Sequence, residues 1–429
     1  ELFSYSKNEK NIVVIVLDMF TGSHFPYLLE YFPQLKTQLD GFVYFPNTVS
    51  TANATVFTIP SIIGGEYYTI INQNKRRADH EKSERDAYLN TARAFTKAGY
   101  EVGFISYPNA ASEMMQKTEN VFWVDDHRDF YNYFVKKHPG INFDNPHIYD
   151  VAHFLSFGLF KFMPDGWMRR SVYRNGLWFF KYRTGTDGHN VTYSVSSFYA
   201  FSQIKKANSK KPTFKFIHTD ITHAPQAIYA GGGKCNYLKE KTVWDKQELF
   251  YPTDLKNFKI PPLYTRHQHF DSEACSLFLL NDFLEWLKEE NIYDNTQIFV
   301  LSDHAGVDSA FPVPHLLPQD RNQDALFLFK DFEKIGEIKT DSRFMANFDA
   351  VTIFCENLKT GCPKVAPNIL KNYPENREII HARNFNIKTT DNTLWPIQRA
   401  YKIKGNIYDP AAYTDVSAEY ATVGEYAKK

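Results

Sequence analysis

The stretch SEACSLFLLNDFLEWLKEENIYDNTQIFVLSDHAG, residues 272–306, holds a helix, a turn, a strand and a loop in one continuous run. Its first part is long and amphipathic, as a helix packed on a sheet should be. QIFVL (297–301) follows as an apolar run without polar alternation, the mark of a strand buried on both faces of a parallel sheet. Asp303 and His304 come directly after that strand.

The same grammar recurs on either side. NIVVIVLD (11–18) is a β-branched run closed by Asp18, and GFVYFPNTV (41–49) reads as a second strand. IPSIIGG (59–65) reads as the start of a helix that stops at glycine. YLNTARAFTKAGYEVGFISYP (88–108) is a helix, a glycine turn and a strand. TFKFIHTDITHAP (213–225) is a strand running into a histidine-bearing loop, and DALFLFK (324–330) is a further strand. Strands alternating with helices predict an α/β fold, a central mostly parallel sheet with helices on both faces. Ligands of such open sheets bind beyond the carboxyl ends of the strands.

One segment, 109–205, departs from the alternation. Within it, residues 148–185 interleave aromatics with Lys and Arg. We expect an aromatic-rich helical insertion, either packed on the core or presenting an amphipathic face to a bilayer, lipid or glycan. The 429 residues carry 49 Lys plus Arg and 49 Asp plus Glu, a balance that argues against bulk electrostatic binding to nucleic acid. No apolar run reaches the roughly 18–20 residues of a membrane span. The chain opens on Glu1, so a fragment or processed form is expected. Of four cysteines, Cys355 and Cys362 are close enough to close a small loop; Cys235 and Cys275 could form a second pair. No C-x-x-C zinc pattern is present.

Chemistry concentrates at strand ends. Asp18, Asp303 and His304 follow two strands, and His218 and His223 lie at and after the end of a third. Carboxylates with imidazoles are the ligand types of a Zn²⁺ or Mn²⁺ site. Singly, an Asp after a strand is usually a cap or turn residue, and a lone His a satisfied or exposed one. STANATVFTIP (50–60) adds four hydroxyls, Ser50, Thr51, Thr55 and Thr58, as a helix-capping turn or as the home of a nucleophile. Composition leaves both open.

NIVVIVLD, the hydroxyl-rich turn before a helix, THAP, and above all DNTQIFVLSDHAG resemble the alkaline phosphatase superfamily. The resemblance is to its sulfatase-like branch of phosphoethanolamine and phosphoglycerol transferases. It runs from about residue 10 to about residue 365 with 109–205 unmatched, and NFDAVTIFCENLKTG resembles the family's short helix after the last core strand. The implied organisation is an alkaline phosphatase-like catalytic domain over 1–365 and an extension, 366–429, packed on it.

The family implies a metal-bound nucleophile at a helix N-terminus. In sulfatases that is a formylglycine made from Cys or Ser in a C/S-x-P-x-R motif. Here Thr55 stands ten residues before Gly65, and no arginine occupies position 59. Threonine cannot become formylglycine. NATVFTIP resembles the transferases instead, with threonine five residues before proline, which makes Thr55 the implied nucleophile. By resemblance, Asp18, Thr55, Asp303 and His304 form the metal shell, with Zn²⁺ ahead of Mn²⁺ and room for a second metal. His223 would contact the phosphoryl group, a second metal or the leaving group; His315 would be a later substrate or second-metal histidine; His218 and Asp308 are further candidates.

Where many transferases carry Glu, this chain carries Asp18, as phosphodiesterases and sulfatases do. The implied function is transfer of a phospholipid headgroup, phosphoethanolamine or phosphoglycerol, to a surface glycan or lipid through a phospho-threonine. A phosphodiesterase or phosphatase using the same site is the alternative, and an inactive lipid-binding regulator a lesser one. The implied setting is the periplasmic or extracellular face of a bacterial inner membrane, with a missing anchor and 148–185 as its membrane contacts.

Overall fold

In a computed structural model, strand β1 (Asn11–Leu17) lies at the centre of an eight-stranded sheet and is buried along its whole length. The structure describes residues 2–106, 112–124, 128–139, 166, 195–223, 228–231, 234–237, 267–306, 322–384 and 391–423. Around β1 the sheet contains β2 (Phe42–Tyr44), β3 (Glu101–Ile105), β4 (Val121–Val124), β5 (Thr213–Thr219), β6 (Thr296–Leu301), β7 (Phe327–Lys330) and β8 (Lys339–Thr340). Their spatial order is β8-β2-β7-β6-β1-β5-β3-β4. Only the β7 pairings, to β6 and β2, are antiparallel, so the sheet is mixed but mostly parallel.

The period of two in β1 sorts its side chains into two cores. Val13, Ile15 and Leu17 enter one, with the helix α4 defined below; Ile12, Val14 and Val16 enter the other. The second core also holds α2 (Thr55–Gly64), α3 (His80–Lys97) and α5 (Asp349–Phe354). The first holds α1 (Phe25–Tyr31) and α4 (His267–Glu289), whose Leu277, Leu280, Phe283, Leu284 and Leu287 are all buried. Helices thus cover both faces, which is why the β1 run could dispense with polar residues.

Three boundaries differ from the sequence reading. Residues 41–49 form two short strands, β2 and Thr48–Val49, with Pro46 between them; proline has no N–H for the ladder. The helix read from residue 59 begins at Thr55 and carries Pro60 in its interior. Val121–Val124, inside the segment set apart as an insertion, extends the main sheet as a parallel edge strand. Its VFWV run has a strand's composition, which the surrounding aromatics obscured. All of 148–185 except residue 166 lies outside the described residues.

A separate antiparallel sheet is built from β9 (Glu378–Arg383), β10 (Arg399–Lys404) and β11 (Tyr413–Asp415). Ala382 of β9 bridges Ala52 and donates its amide to the Thr51 carbonyl at 2.9 Å. A bond between Cys355 and Cys362 closes the loop after α5; Cys235 and Cys275 are not joined in a disulfide, and the Cys235 thiol donates to the Cys275 carbonyl at 3.3 Å. Among the described residues no helix is long and apolar enough to cross a membrane.

Candidate active site

Strand register explains why distant residues meet. Val16 of β1 stands opposite both His218 of β5 and Leu301 of β6. Two residues on, Asp18 and Asp303 therefore emerge toward the same face as His218, the face on which α2 packs. Thr55, the first residue of α2, follows Ala54, which keeps an extended backbone. The Thr55 hydroxyl donates to Asp18 Oδ2 at 2.9 Å.

The other three hydroxyls of the turn are spent on structure. Ser50 donates to the Ala52 carbonyl, Thr58 shares its proton between the carbonyls of Ala54 and Thr55, and Thr51 lies 3.5 Å from Ser61. The turn itself is laced to β9. Asn53 exchanges two 2.9 Å bonds with the backbone of Asn384, and His381 Nδ1 donates to the Ser50 carbonyl at 2.8 Å.

Around Thr55 the polar groups converge. His218 Nε2 lies 3.4 Å from Asp18 Oδ2, and His304 Nε2 lies 3.4 Å from Asp303 Oδ2 and 3.9 Å from Asp18 Oδ1. His304 Nδ1 donates to the Ala305 carbonyl, which leaves Nε2 aimed at the carboxylates. Asp303 Oδ1 accepts the amides of Met19 and His304 at 3.1 and 2.8 Å. Thr222 donates to the Asp18 carbonyl, tying the loop after β5 to the end of β1. His223, half-buried on that loop, is close enough for its charge to favour the ionised form of Asp18.

Two buried carboxylates this close repel each other. Burial and the Asp18 charge push Asp303 up. Burial opposes ionisation of Asp18 too, but the His218 hydrogen bond and the histidine charges hold it well below the usual carboxylate range. Burial would depress His218, yet the Asp18 bond and the Asp220 charge raise it to about 9. The cluster wants positive charge.

Asp18 Oδ1 and Asp303 Oδ2 are buried and accept no hydrogen bond. Asp18, His218 and Asp303 each offer a ligand atom within 4.8 Å of the others. With His304 and Thr55 alongside, that N/O donor set fits a divalent cation of the Zn²⁺ or Mn²⁺ type.

The expected residues Asp18, Thr55, Asp303 and His304 thus lie together. His218, ranked below them from sequence, stands beside Asp18. Asp308 and His315 lie outside the described residues. Sequence reasoning passed over His381, buried with Nε2 unpartnered and near enough to feel the His304 charge. It also passed over His24, His269 and Glu273, a second buried cluster. Glu273 and His269 stand four apart on α4, and that spacing was the one available signal.

Three solved structures similar to the chain are 12–13% identical to it. A Bacteroides thetaiotaomicron 4S-sulf protein of a glycosaminoglycan-metabolism locus is 12% identical with a TM-score of 0.50, over 95% of this chain and 88% of that one. A protein of the alkaline phosphatase superfamily from Vibrio parahaemolyticus is 13% identical, with 0.43 over 94% and 79%. The lipoteichoic acid synthase LtaP of Listeria monocytogenes is 12% identical, with 0.43 over 96% and 86%. No curated protein matches the sequence. The sulfatase family model matches residues 10–316, from β1 past the Asp303–His304 loop. On that match the chain belongs to the sulfatase family.

Proposed function

We propose that this chain is a metal-dependent transferase that moves a phospholipid-derived phospho-headgroup onto a cell-surface glycan or lipid, with Thr55 as nucleophile. The observation that carries the reading is the Thr55 hydroxyl at the first position of α2, donating to Asp18 within the carboxylate–imidazole cluster. A threonine there is incompatible with formylglycine chemistry, so phosphoryl rather than sulfuryl transfer is favoured.

Asp18, Asp303, His304 and Thr55 would hold the divalent ion, Zn²⁺ ahead of Mn²⁺, with His218 as a further ligand or a partner to Asp18. A bound ion supplies a Lewis acid that lowers the hydroxyl pKa and offsets phosphoryl charge. Thr55 Oγ1 directs its proton at Asp18 Oδ2 and attacks phosphorus in line with the diacylglycerol oxygen. The P–O bond to that oxygen breaks, and the headgroup phosphate remains as an ester on Thr55. His223 stands on the loop after β5, where it would protonate the departing oxygen. The N-terminal end of α2, which begins at Thr55, would favour a phosphoryl oxygen there. In the second step the acceptor hydroxyl gives its proton to His223 and attacks phosphorus, the P–O bond to Thr55 Oγ1 breaks, and Oγ1 takes back the proton held at Asp18.

The Cys355–Cys362 bond supports an oxidising compartment, and we place the domain on the periplasmic or extracellular side of a bacterial membrane. The aromatic and basic sequence of 148–185 is the segment we assign to the donor bilayer. Asp18, at the position where phosphodiesterases and sulfatases carry aspartate, favours a second reading in which water replaces the acceptor.

Thr55→Ala should abolish both headgroup release from labelled phosphatidylethanolamine or phosphatidylglycerol and phosphate labelling of the protein. Native turnover in that variant would sink the assignment. With the native chain, labelled headgroup on an added glycan supports transfer, and free headgroup alone supports hydrolysis.

A further inference from the structure

The second buried cluster lies on the opposite side of the ligand loops from Thr55. We propose that His24, Glu273 and His269 form a clamp of positioning residues that sets the aim of Asp18 and Asp303, an inference resting on the reading of those carboxylates as a metal centre.

Both oxygens of Glu273 are engaged. Oε1 accepts the Thr21 amide at 2.8 Å, and Oε2 accepts from His24 Nδ1 at 2.6 Å. One helical turn earlier, His269 Nε2 lies 3.0 Å from the Met19 carbonyl. A carbonyl only accepts, so Nε2 carries the hydrogen and donates it. The carbonyl it holds belongs to the residue after Asp18.

Met19 has φ of +64°, a left-handed conformation foreign to a side chain of its type. Its amide donates to Asp303 Oδ1 and its carbonyl accepts from His269, so the turn is pinned at both ends. The second ligand loop meets the same clamp. The Gly306 amide donates to Thr21 Oγ1 at 3.1 Å, and a Cβ at Gly306 would sit 2.3 Å from His269 Cε1. One face of α4 therefore registers both loops, 18–24 and 303–306. Although the three side chains could hold an ion by type, the Glu273 oxygens and His269 Nε2 are already committed to bonds that fix the turn.

Glu273→Gln leaves a single acceptor oxygen for two donors, the Thr21 amide and His24 Nδ1, at nearly constant volume; Thr21→Val, milder, removes the acceptor for Gly306. Amide exchange of the 18–22 segment, followed by mass spectrometry in metal-free protein, should speed up at least tenfold in Glu273→Gln. Zn²⁺ affinity, measured against a chelating dye, should fall ten- to hundredfold in both variants, with kcat falling further than KM rises. Unchanged exchange and unchanged Zn²⁺ affinity alongside a lower Tm would overturn the clamp and leave the triad purely structural. Two Zn²⁺ per native chain and one per Glu273→Gln chain would overturn it in favour of a second metal site. A native chain that takes up neither Zn²⁺ nor Mn²⁺ would defeat the metal-centre reading alone, and the exchange result would then decide the clamp. Should Glu273→Gln fail to fold, Thr21→Val carries both measurements.

Discussion

Two clusters of buried carboxylate and imidazole flank the carboxyl ends of the same strands, and they solve opposite problems. On the α2 side, Asp18 and Asp303 each keep an oxygen without a hydrogen bond. On the α4 side, both Glu273 oxygens are satisfied by Thr21 and His24. A buried polar atom left unpaired costs roughly 1–3 kcal/mol, and a bound cation would offset that cost at Asp18 and Asp303. The carboxylates with unfilled oxygens suit the cation site proposed above, and the one with both oxygens filled suits the proposed clamp. Residue type alone does not separate them; hydrogen-bond saturation does.

The largest effect should come from removing charge where the bonds are unfilled. Asp303→Asn keeps the oxygen that accepts from Met19 and His304 but loses the negative charge at the unpaired position. Turnover should drop at least ten-thousandfold, about 5.5 kcal/mol of barrier. The metal-free protein should nevertheless gain roughly 1 kcal/mol of stability from relieved repulsion with Asp18. A metal-free variant that melts below native would mean the repulsion is already neutralised, and the contrast between the clusters would fail. Glu273→Ala should behave in the reverse sense. It leaves the Thr21 amide and the His24 ring without their acceptor, and urea unfolding should show a loss of about 3–5 kcal/mol even without metal.

How much of this was legible from sequence follows from the range over which each signal acts. β1 and β6 announced themselves by the apolar runs IVVIVL and IFVL that a strand buried on both faces favours, and β5 by Phe214, Phe216 and Ile217 despite Lys215 and His218 among them. Asp18, Asp303 and His304 announced themselves by ending those strands. Thr55 could be singled out from Ser50, Thr51 and Thr58 only by resemblance; the bonds that occupy the other three hydroxyls depend on tertiary placement. His381 was beyond reach, since it comes to the Ser50 turn from a strand more than 300 residues away. The clamp was equally hidden: His24 is 249 positions from Glu273, and neither closes a strand.

Two other buried histidines sharpen the contrast through pH. In chelated protein, His218 sits near 9 because Asp18 and Asp220 overcome the cost of burial. The stability it adds is complete below pH 6.5 and is lost as pH rises through 9. His381 is pushed down to about 4, chiefly by burial and further by the Arg383 charge, against its bond to the Ser50 carbonyl. It folds as the neutral ring, so its stability is complete above pH 6.5 and is lost as pH falls through 4. Each limb should amount to roughly 3 kcal/mol. Urea midpoints of the metal-free chain should therefore peak near pH 6.5. His381→Phe should flatten the acid limb only, and an unchanged acid limb would place its cause elsewhere.

The smallest effect tests whether the two clusters are joined at all. Gly306 follows the Asp303–His304 pair, and the His269 ring fills the space its side chain would need, with Cε1 2.3 Å and Nδ1 2.9 Å from a Cβ. The ring cannot easily yield, because it is buried and its Nε2 is held by the Met19 carbonyl. Gly306→Ala should then cost about 1–3 kcal/mol through overpacking. If the collision is with His269, truncating that ring removes it, and the Gly306→Ala, His269→Ala pair should lose less stability than the two single variants summed. Additive losses within about 0.5 kcal/mol would mean that the site loop and the clamp do not touch in solution. A positive coupling would instead assign the glycine at 306 to steric need, since an alanine there meets the ring that also holds the Met19 carbonyl.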